Sequence, residues 1–306
     1  MNFKSKNRNS NSSNHAAPHS SNAAQSSNRQ QSTTQQIIAE NVKHLIEQLE
    51  QGKSEALTAY LNAMARFHNY SFGNILSIAH HRPDATHVAG IRRWNEFGRY
   101  VMKGQKGIPI LAPMIGSKRQ RDEEPAVQID KPAPMLIGFR RVYVFDVAQT
   151  EGAELPEPAK VSGEVGTYLD RLIDFVQQQG IELEYNERIA PAQGASYGGK
   201  IALLPGQTKA EELSTLVHEL GHELLHRSER RTLTTKTVRE TEAESIAFIV
   251  SRAVGLNTGT ASSDYVAMYG GNVELLTESL AVIQQASATI LDALFAEEAE
   301  PLAQAS

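Results

Sequence analysis

The run from His218 to His222, with sequence His-Glu-Leu-Gly-His, has the residue types and spacing of a metal-dependent hydrolase. At about 100° per residue of an α-helix, His218 and His222 lie one turn apart on one face, with Glu219 beside them. Two imidazoles at this spacing can bind Zn²⁺, and the neighbouring carboxylate can accept the proton of an attacking water. The pattern therefore predicts a metal site that performs hydrolysis.

The elements around this run must hold it in place. The apolar side chains of the predicted helix over 211–227 gather on nearly the opposite face, so the helix can pack in a core while presenting its imidazoles. These side chains are Leu213, Leu216, Val217, Leu220 and Leu224. A strand over 199–204 precedes the helix, and we expect it to offer an edge to which an extended peptide can pair. A carboxylate-rich helix from about 237 to 254 follows and is the expected source of a third ligand.

Three glutamates of that following helix are candidates. Its apolar face is defined by Ala243, Ile246, Ala247 and Val250, and Glu240 lies about 70° from the centre of that face at 100° per residue. Glu240 is therefore the predicted third metal ligand. Glu244, one turn on, is predicted to orient a ligand imidazole from behind. Glu242 falls on the other side, and we expect it to face solvent.

Two further residues could belong to the site. His226 lies one turn after His222, but the metzincin spacing would require a histidine at 228, where Ser228 stands. We therefore expect His226 to be an imidazole at the helix C-terminus, favoured there by the helix dipole. Tyr197 could donate a hydrogen bond to a developing oxyanion, and a packing role is the alternative.

Composition restricts the class of protein. The chain has no cysteine, which excludes disulfides and thiolate metal sites. It has no 18-residue apolar run and no signal-peptide pattern, so we expect a cytoplasmic protein without membrane contact. Lys and Arg minus Asp and Glu give +4 for residues 1–35, +4 for 36–150 and −13 for 151–306. This asymmetry indicates a polyanionic partner for the first half, with an ordinary solvated surface as the alternative.

The predicted fold class is α+β with two domains. Residues 1–35 are a tail rich in Asn, Ser and Gln that we expect to be disordered, because it contains too little apolar surface to offset its ordering entropy. Residues 36–150 form the first domain, 151–163 a linker and 164–306 the second domain. Residues 116–132, inside the first domain, read as a charged mobile loop.

Several separate motifs then indicate a family. The first half resembles the N-terminal domain of ArdC-type antirestriction proteins, which also occurs on TraC-type primases. The second half, through 218–222 and 240–244, resembles the zincin domain of the same family, which is related to ImmA/IrrE-type metallopeptidases. The resemblance spans roughly residues 36–270. Its motifs in the first half are Asn69 to Asn74, Arg82 to Ala85, Gly90 to Trp94, Lys103 to Ile108 and Val144 to Thr150.

This resemblance implies a single-stranded DNA-binding domain joined to a metallopeptidase-like domain, in a protein that shields incoming plasmid DNA from restriction. Single-strand binding requires basic side chains and aromatic rings on which bases stack, at about 1–3 kcal/mol per base. Most aromatic residues must nevertheless lie in the core, so we expect only two or three to meet bases. The candidates are Tyr70, Arg92, Arg93, Trp94, Lys103, Lys106, Arg140 and Tyr143.

Three functional hypotheses stay open at this point. The metal domain of a DNA-binding protective protein could be secondary, or the chain could be a DNA-directed metalloprotease that cleaves DNA-bound proteins. The third hypothesis is a metal-binding regulator with no DNA contact. The expected partners are single-stranded DNA and a protein or peptide substrate, and the expected ion is Zn²⁺, with Mn²⁺ or Co²⁺ as alternatives.

Overall fold

A computed structural model describes residues 36, 38–51, 54–116, 135–154, 165–227, 229–256 and 273–296. The predicted tail over 1–35, nearly all of the predicted loop over 116–132 and most of the predicted linker over 151–163 lie outside the described residues. Helices and short strands alternate in the rest of the chain, so the α+β fold class is confirmed.

The first half begins with three helices and continues with short strands. Strand β4 is the centre of a three-stranded sheet in the order β1-β4-β3, and β2 pairs antiparallel with β5 in a separate ribbon. The helices are α1 (38–50), α2 (Ser54–Arg66), α3 (Phe72–His81) and α4 (Ile91–Glu96). The strands are β1 (Val88–Ala89), β2 (Arg99–Val101), β3 (Ile108–Gly116), β4 (Met135–Asp146) and β5 (Thr150–Gly152).

Polar side chains fasten these elements to one another. The Asn74 amide donates to the Leu111 carbonyl at 2.9 Å and accepts from the Leu111 N–H at 2.8 Å, which joins α3 to β3. Asp146 caps the 3₁₀ turn Val147–Gln149 by accepting from the Ala148 N–H. The Gln149 amide in turn donates to the Lys106 carbonyl at 2.9 Å. The basic turn before β3 is thereby fixed against the end of β4.

The second half is built on a mixed sheet with helices packed around it. Strand β8 lies in the middle of this sheet, parallel to β6 and antiparallel to β7. The prediction that 199–204 forms a sheet edge is therefore wrong, and the edges are β6 and β7. The elements are α5 (Val165–Gln178), β6 (Glu182–Tyr185), β7 (Gly194–Ser196), β8 (Lys200–Leu203), α6 (Lys209–Leu225), α7 (Glu229–Leu233), α8 (Lys236–Ala253) and α9 (Val273–Phe295).

Helix α6 carries the histidine motif, and its own sequence explains its bounds. Thr208 and Glu211 form a capping box at its start, because each side chain accepts from the backbone N–H of the other. The predicted apolar stripe is buried, with Leu213, Leu216, Val217 and Leu220 at 0% exposure. A Cβ added at Gly221 would lie 3.3 Å from the Cα of Ala243, so glycine permits the close approach of α8.

The chain divides into two compact units that differ from the predicted domains. One unit comprises residues 36–112 and 140–306, and the other comprises 1–35 and 113–139. Within the first unit, α2 packs against α8 and α3 against α9. The predicted boundaries at 150 and 164 stay predictions. Across the described residues, no helix combines the length and apolar character needed to cross a membrane.

Candidate metal centre

Two helices bring three potential metal ligands together. Helix α6 supplies His218 and His222, whose Nε2 atoms lie 3.2 Å apart. Helix α8 supplies Glu240, whose Oε2 lies 3.6 Å from the first of these nitrogens and 3.5 Å from the second. The three residues selected by helix geometry are thus neighbours, and they form a cluster able to hold a metal ion within the part of the chain that is described.

The size of this triangle fits a divalent metal. A circle through its corners, taken from sides of 3.2, 3.5 and 3.6 Å, has a radius of about 2.0 Å, and zinc binds imidazole nitrogen at about 2.0–2.1 Å and carboxylate oxygen at about 2.0–2.2 Å. Burial and the neighbouring His218 lower the pKa of His222 to about 4, and burial lowers the pKa of His218. Both imidazoles are therefore neutral at neutral pH, which is the ligating form.

Glu219 lies beside these ligands and is largely buried, at 8% exposure. Its burial, with the nearby carboxylates of Glu240 and Glu223, raises the pKa of Glu219 to about 7. A Cβ added at Gly194 would lie 2.8 Å from both the Cγ and the Oε1 of Glu219. The carboxylate therefore lies directly against strand β7, where only glycine leaves it room.

The far side of His222 contacts a second histidine rather than solvent. Its Nδ1 lies 3.0 Å from the Nδ1 of His226. The Nε2 of His226 lies 2.8 Å from the Oε2 of Glu242, and both of these side chains are fully buried. His226 does lie at the end of α6, as predicted, but it also connects a metal ligand to a buried carboxylate.

The position of Glu242 on α8 requires correction. Glu242, expected to face solvent, is 0% exposed. It accepts hydrogen bonds from His226, from Ser279 and from Arg230. Burial alone would raise the pKa of Glu242, but these bonds hold its pKa below the usual value. Glu244 is exposed, and its role in orienting a ligand imidazole stays a prediction. The Nδ1 of His222 contacts His226.

Glu223, which was not among the predicted site residues, secures the turn between β7 and β8. It is 2% exposed. Its Oε1 accepts from the Ser196 hydroxyl at 2.6 Å and the Gly198 N–H at 2.8 Å. Its Oε2 accepts from the Gly199 N–H at 2.7 Å and from the Arg227 guanidinium at 2.6 Å. In the sequence, the signal that could have identified Glu223 is its position directly after the second histidine of the motif.

A pocket of about 460 Å³ opens beside His222. Tyr197, the predicted oxyanion donor, lines it and is 62% exposed. A packing role in the core therefore does not explain the position of Tyr197, which lies on the turn whose backbone Glu223 binds. The other lining residues are Ser196, Gly198, His226, Arg227 and Arg231.

Two of the predicted DNA contacts in the first half have structural roles. Trp94 is 2% exposed, and its indole N–H donates to the Phe145 carbonyl at 2.8 Å. Its prediction as a stacking platform is wrong, because protein covers its ring. Tyr70 is half-buried against the core, and its hydroxyl lies 3.3 Å from the Val88 carbonyl.

The remaining DNA candidates are exposed. Tyr143 is 55% exposed on β4, and Arg93 forms an ion pair with Glu96 at 2.9 Å and lies over the ring of Phe97. Tyr100, which none of the motifs marked as a candidate, is 59% exposed on β2. The others are Arg92, Lys103, Lys106 and Arg140.

Taken together, these features define a chain that joins a basic α+β half to a half with a candidate His-His-Glu metal centre. Residues 27–145 match the family model of the N-terminal domain of the anti-restriction factor ArdC. This segment therefore belongs to that family, and the ArdC-type identification made from the motifs is confirmed for it. The match does not extend over the metal-binding half.

Similar proteins span more of the chain. An uncharacterized protein of Bacillus anthracis, pXO2-81, is 22% identical over 311 residues, covering 85% of this chain and 52% of the relative. The chain thus spans about half the length of this curated relative. Two crystal structures of the antirestriction ArdC protein from the R388 plasmid each have 16% sequence identity to this chain. The metal-free form covers 84% of this chain and 97% of that chain with a TM-score of 0.49, and the Mn(II)-bound form covers 77% and 97% with 0.44.

Proposed function

We propose that this chain is an antirestriction protein that binds single-stranded DNA through residues 36–150 and carries a zinc-dependent, peptidase-like centre in residues 164–306. The observation that carries the metal centre is the triangle of ligand atoms from His218, His222 and Glu240. The match of residues 27–145 to the ArdC N-terminal domain supports the antirestriction role. Incoming plasmid DNA meets restriction enzymes in the cytoplasm, so protection takes place there.

The residues of the centre would divide the work of hydrolysis. His218, His222 and Glu240 would hold the ion, which polarises a carbonyl group and makes water more acidic. Glu219 accepts the proton of the attacking water, and its buried position keeps its carboxylate beside the ligands. Tyr197 donates a hydrogen bond from the rim of the neighbouring pocket to the developing oxyanion. Two nitrogen ligands and one oxygen ligand suit zinc, and manganese or cobalt are the alternative ions.

An extended peptide would bind along β7 in place of the predicted 199–204 edge. Strand β7 is an edge strand of its sheet, and Gly194 on it lies against Glu219. A peptide that pairs with this edge would gain backbone hydrogen bonds and would lie close to Glu219, the proposed proton acceptor. The pocket beside His222 would then receive a side chain of the substrate.

The DNA-binding surface would use the exposed candidates of the first half. The backbone of Gly107 lies against Tyr143, because a Cβ added at Gly107 would be 2.9 Å from the Tyr143 Cβ. The exposed Lys106 next to Gly107 therefore lies in the same region as the Tyr143 ring. An aromatic face with a nearby cation suits a base and its phosphate. The exposed ring of Tyr100 would also be available for stacking, whereas the buried ring of Trp94 would not.

The pocket beside His222 favours a second candidate function. In a DNA-directed metalloprotease, DNA binding would deliver the centre to proteins on the strand, whereas in a purely protective protein the centre would be secondary. Glu219→Gln separates the two, because it keeps all three ligands and removes the proton acceptor. If protection against restriction survives this change with metal still bound, proteolysis is not the cause of protection.

The metal centre itself is tested by metal content. Wild type and His222→Ala are purified after growth with zinc and measured by inductively coupled plasma mass spectrometry, with His44→Ala on α1 as the matched histidine control. We expect about one ion per chain in wild type and His44→Ala, and a large loss in His222→Ala. Equal content in all three proteins would contradict the proposed centre.

The DNA-binding surface is tested by mobility shift with a single-stranded oligonucleotide at two salt concentrations. Tyr143→Ala is compared with Tyr185→Ala, since these tyrosines are 55% and 54% exposed and lie in the basic and acidic halves. Losing one stacked base would weaken binding about 5- to 150-fold, from about 1–3 kcal/mol, in Tyr143→Ala alone. Absence of binding in wild type would favour a metal-binding regulator without DNA contact.

A further inference from the structure

The pocket beside His222 has a basic wall. Its volume is about 460 Å³, and the side chains that line it include those of Arg227 and Arg231. No acidic residue is among the described residues that line it. Residues 151–306 as a whole carry 11 Lys and Arg against 24 Asp and Glu, a net charge of −13. A basic wall in such an acidic half indicates a ligand with a negatively charged group.

Three arginines lie close together in the sequence at this place, and they differ in their partners. Arg227 forms an ion pair with the buried carboxylate of Glu223. Arg230 is paired with one carboxylate on α8 and with another on α9. Arg231 is exposed, and no carboxylate within the described part of the chain forms an ion pair with it. The guanidinium of Arg231 is therefore available to a ligand in the pocket.

The edge strand β7 leads from the proposed proton acceptor to this pocket. Gly194, at the start of β7, lies against Glu219. Ser196 ends the strand, and it lines the pocket together with Tyr197 and Gly198 of the following turn. A strand rises about 3.3 Å per residue, so the pocket begins about 7–10 Å along the edge from Gly194. A peptide bound along β7 would therefore place over the pocket a side chain two or three residues away from the bond beside Glu219.

We propose that this pocket binds an aspartate or glutamate side chain of a peptide substrate, and that Arg231 determines the preference. The N–H groups of a guanidinium match the two oxygens of a carboxylate, whereas the charge of Arg227 is already balanced by Glu223. A single carboxylate needs only one local cation, but a DNA strand would be repelled by the acidic half as a whole. The inference rests on the proposed peptidase function, because it requires a peptide on β7.

Binding of labelled peptides, followed by fluorescence anisotropy, tests this preference without any need for cleavage. The protein is the full chain with Glu219→Gln, loaded with zinc, which keeps all three ligands and lacks the proton acceptor. The probes are fluorescein-labelled alanine-based peptides that contain a single glutamate, glutamine or lysine, placed at each position in turn. Arg231→Gln and Arg231→Glu are made in this background. Arg188→Glu, at an exposed arginine outside the pocket, is the matched control.

We expect the glutamate peptide to bind about 5-fold more tightly than the glutamine peptide at one or two neighbouring positions, as for an exposed ion pair. Arg231→Gln should remove this difference, and Arg231→Glu should reverse it in favour of the lysine peptide. Arg188→Glu should retain the preference for glutamate. The backbone carbonyl of Arg231, rather than its side chain, accepts from Arg239, so the substitutions at 231 should leave the melting temperature unchanged.

The outcomes separate this inference from the function on which it rests. Equal binding of the three peptides, or a preference that survives in Arg231→Gln, would overturn the inference and leave the proposed peptidase centre intact. If no peptide binds the zinc-loaded protein, the proposed peptide-binding function fails, and the inference fails with it. A short oligothymidine is the competing ligand. If it binds in a manner that depends on Arg231 while the glutamate peptide does not, the pocket serves a DNA phosphate and the inference is overturned.

Discussion

Glu223 offers a sharp test of how the turn beside the metal centre is held. Each of its two carboxylate oxygens accepts two hydrogen bonds. The four donors are Ser196, Gly198, Gly199 and Arg227. Burial alone would raise the pKa of Glu223, yet these bonds hold its pKa below the usual value. We predict that both Glu223→Ala and the isosteric Glu223→Gln destabilise the protein and release the turn.

The size of the effect follows from the partners left behind. In Glu223→Ala the exposed Arg227 returns to water, while the Gly198 and Gly199 N–H groups lose their acceptor. A cost of about 1–3 kcal/mol should lower the melting temperature by about 2–12 °C at about 2–4 °C per kcal/mol. In Glu223→Gln, the amide N–H₂ faces a backbone N–H in either orientation, because each oxygen of Glu223 accepts from one. A buried donor left without an acceptor costs about 1–3 kcal/mol.

Thermal melting by circular dichroism, in the presence of a chelator, measures this effect separately from metal binding. Glu274→Gln is the control, since it makes the same chemical change at an exposed site. The critical comparison is between the two glutamine variants. If Glu223→Gln melts within about 1 °C of Glu274→Gln, the carboxylate does not hold the turn and the reasoning is refuted.

Three further predictions follow from individual contacts. Gly194→Ala places a Cβ 2.8 Å from Glu219 and should cost about 1–3 kcal/mol by urea unfolding without changing metal content; an unaltered urea midpoint would contradict it. Burial lowers the pKa of His68 from 6.5, so the unfolded chain takes up this proton first and stability falls with decreasing pH below about 6.5; His68→Gln should lose less over that range, and parallel curves would refute this. In the double variant Lys103→Ala, Lys106→Ala, losing two phosphate contacts should lower the salt slope of single-strand binding by about 1.4, at about 0.7 each, and an unchanged slope would remove these lysines from the interface.

The parts of the centre that the sequence predicts are those fixed by one helix. The spacing of His218 and His222, the apolar stripe behind them and the start of α6 all depend on residues within a few turns of each other. Such local relations need no knowledge of the rest of the fold. The predicted helix over 211–227 accordingly differs from α6 by only two residues at each end.

The side of α8 that carries a functional carboxylate could not be predicted in the same way. The angular argument assumes a single buried face, but α8 packs against α2, α6 and α9 and is buried almost all round. Glu242 therefore lies fully inside the protein, whereas Glu240, with its side chain 49% exposed, faces the two histidines of α6. Three enclosing helices are a tertiary property, and no periodicity in 237–254 reveals them.

The predictions of a sheet edge at β8 and of an exposed ring at Trp94 are wrong for the same physical reason. Whether β8 is central depends on a parallel partner, β6, that lies upstream across a turn and a third strand. Likewise, the motif containing Trp94 indicates the family, while its buried ring has a hydrogen-bond partner, the Phe145 carbonyl, 51 residues away. A motif can therefore name the domain correctly and still point to the wrong side chains for contact with a ligand.

Two buried carboxylates near His222 hold the surroundings of the motif in place. Glu223 accepts from the turn that carries Tyr197, and Glu242 accepts from the histidine behind His222. One therefore holds the turn beside the pocket, and the other holds the histidine behind His222, on the side away from the other ligands. Each is surrounded only by donors, so each needs a carboxylate at its position, and neither is part of the five-residue motif. The surroundings of His222 are therefore held on two sides by carboxylates that a search for the five-residue pattern does not find.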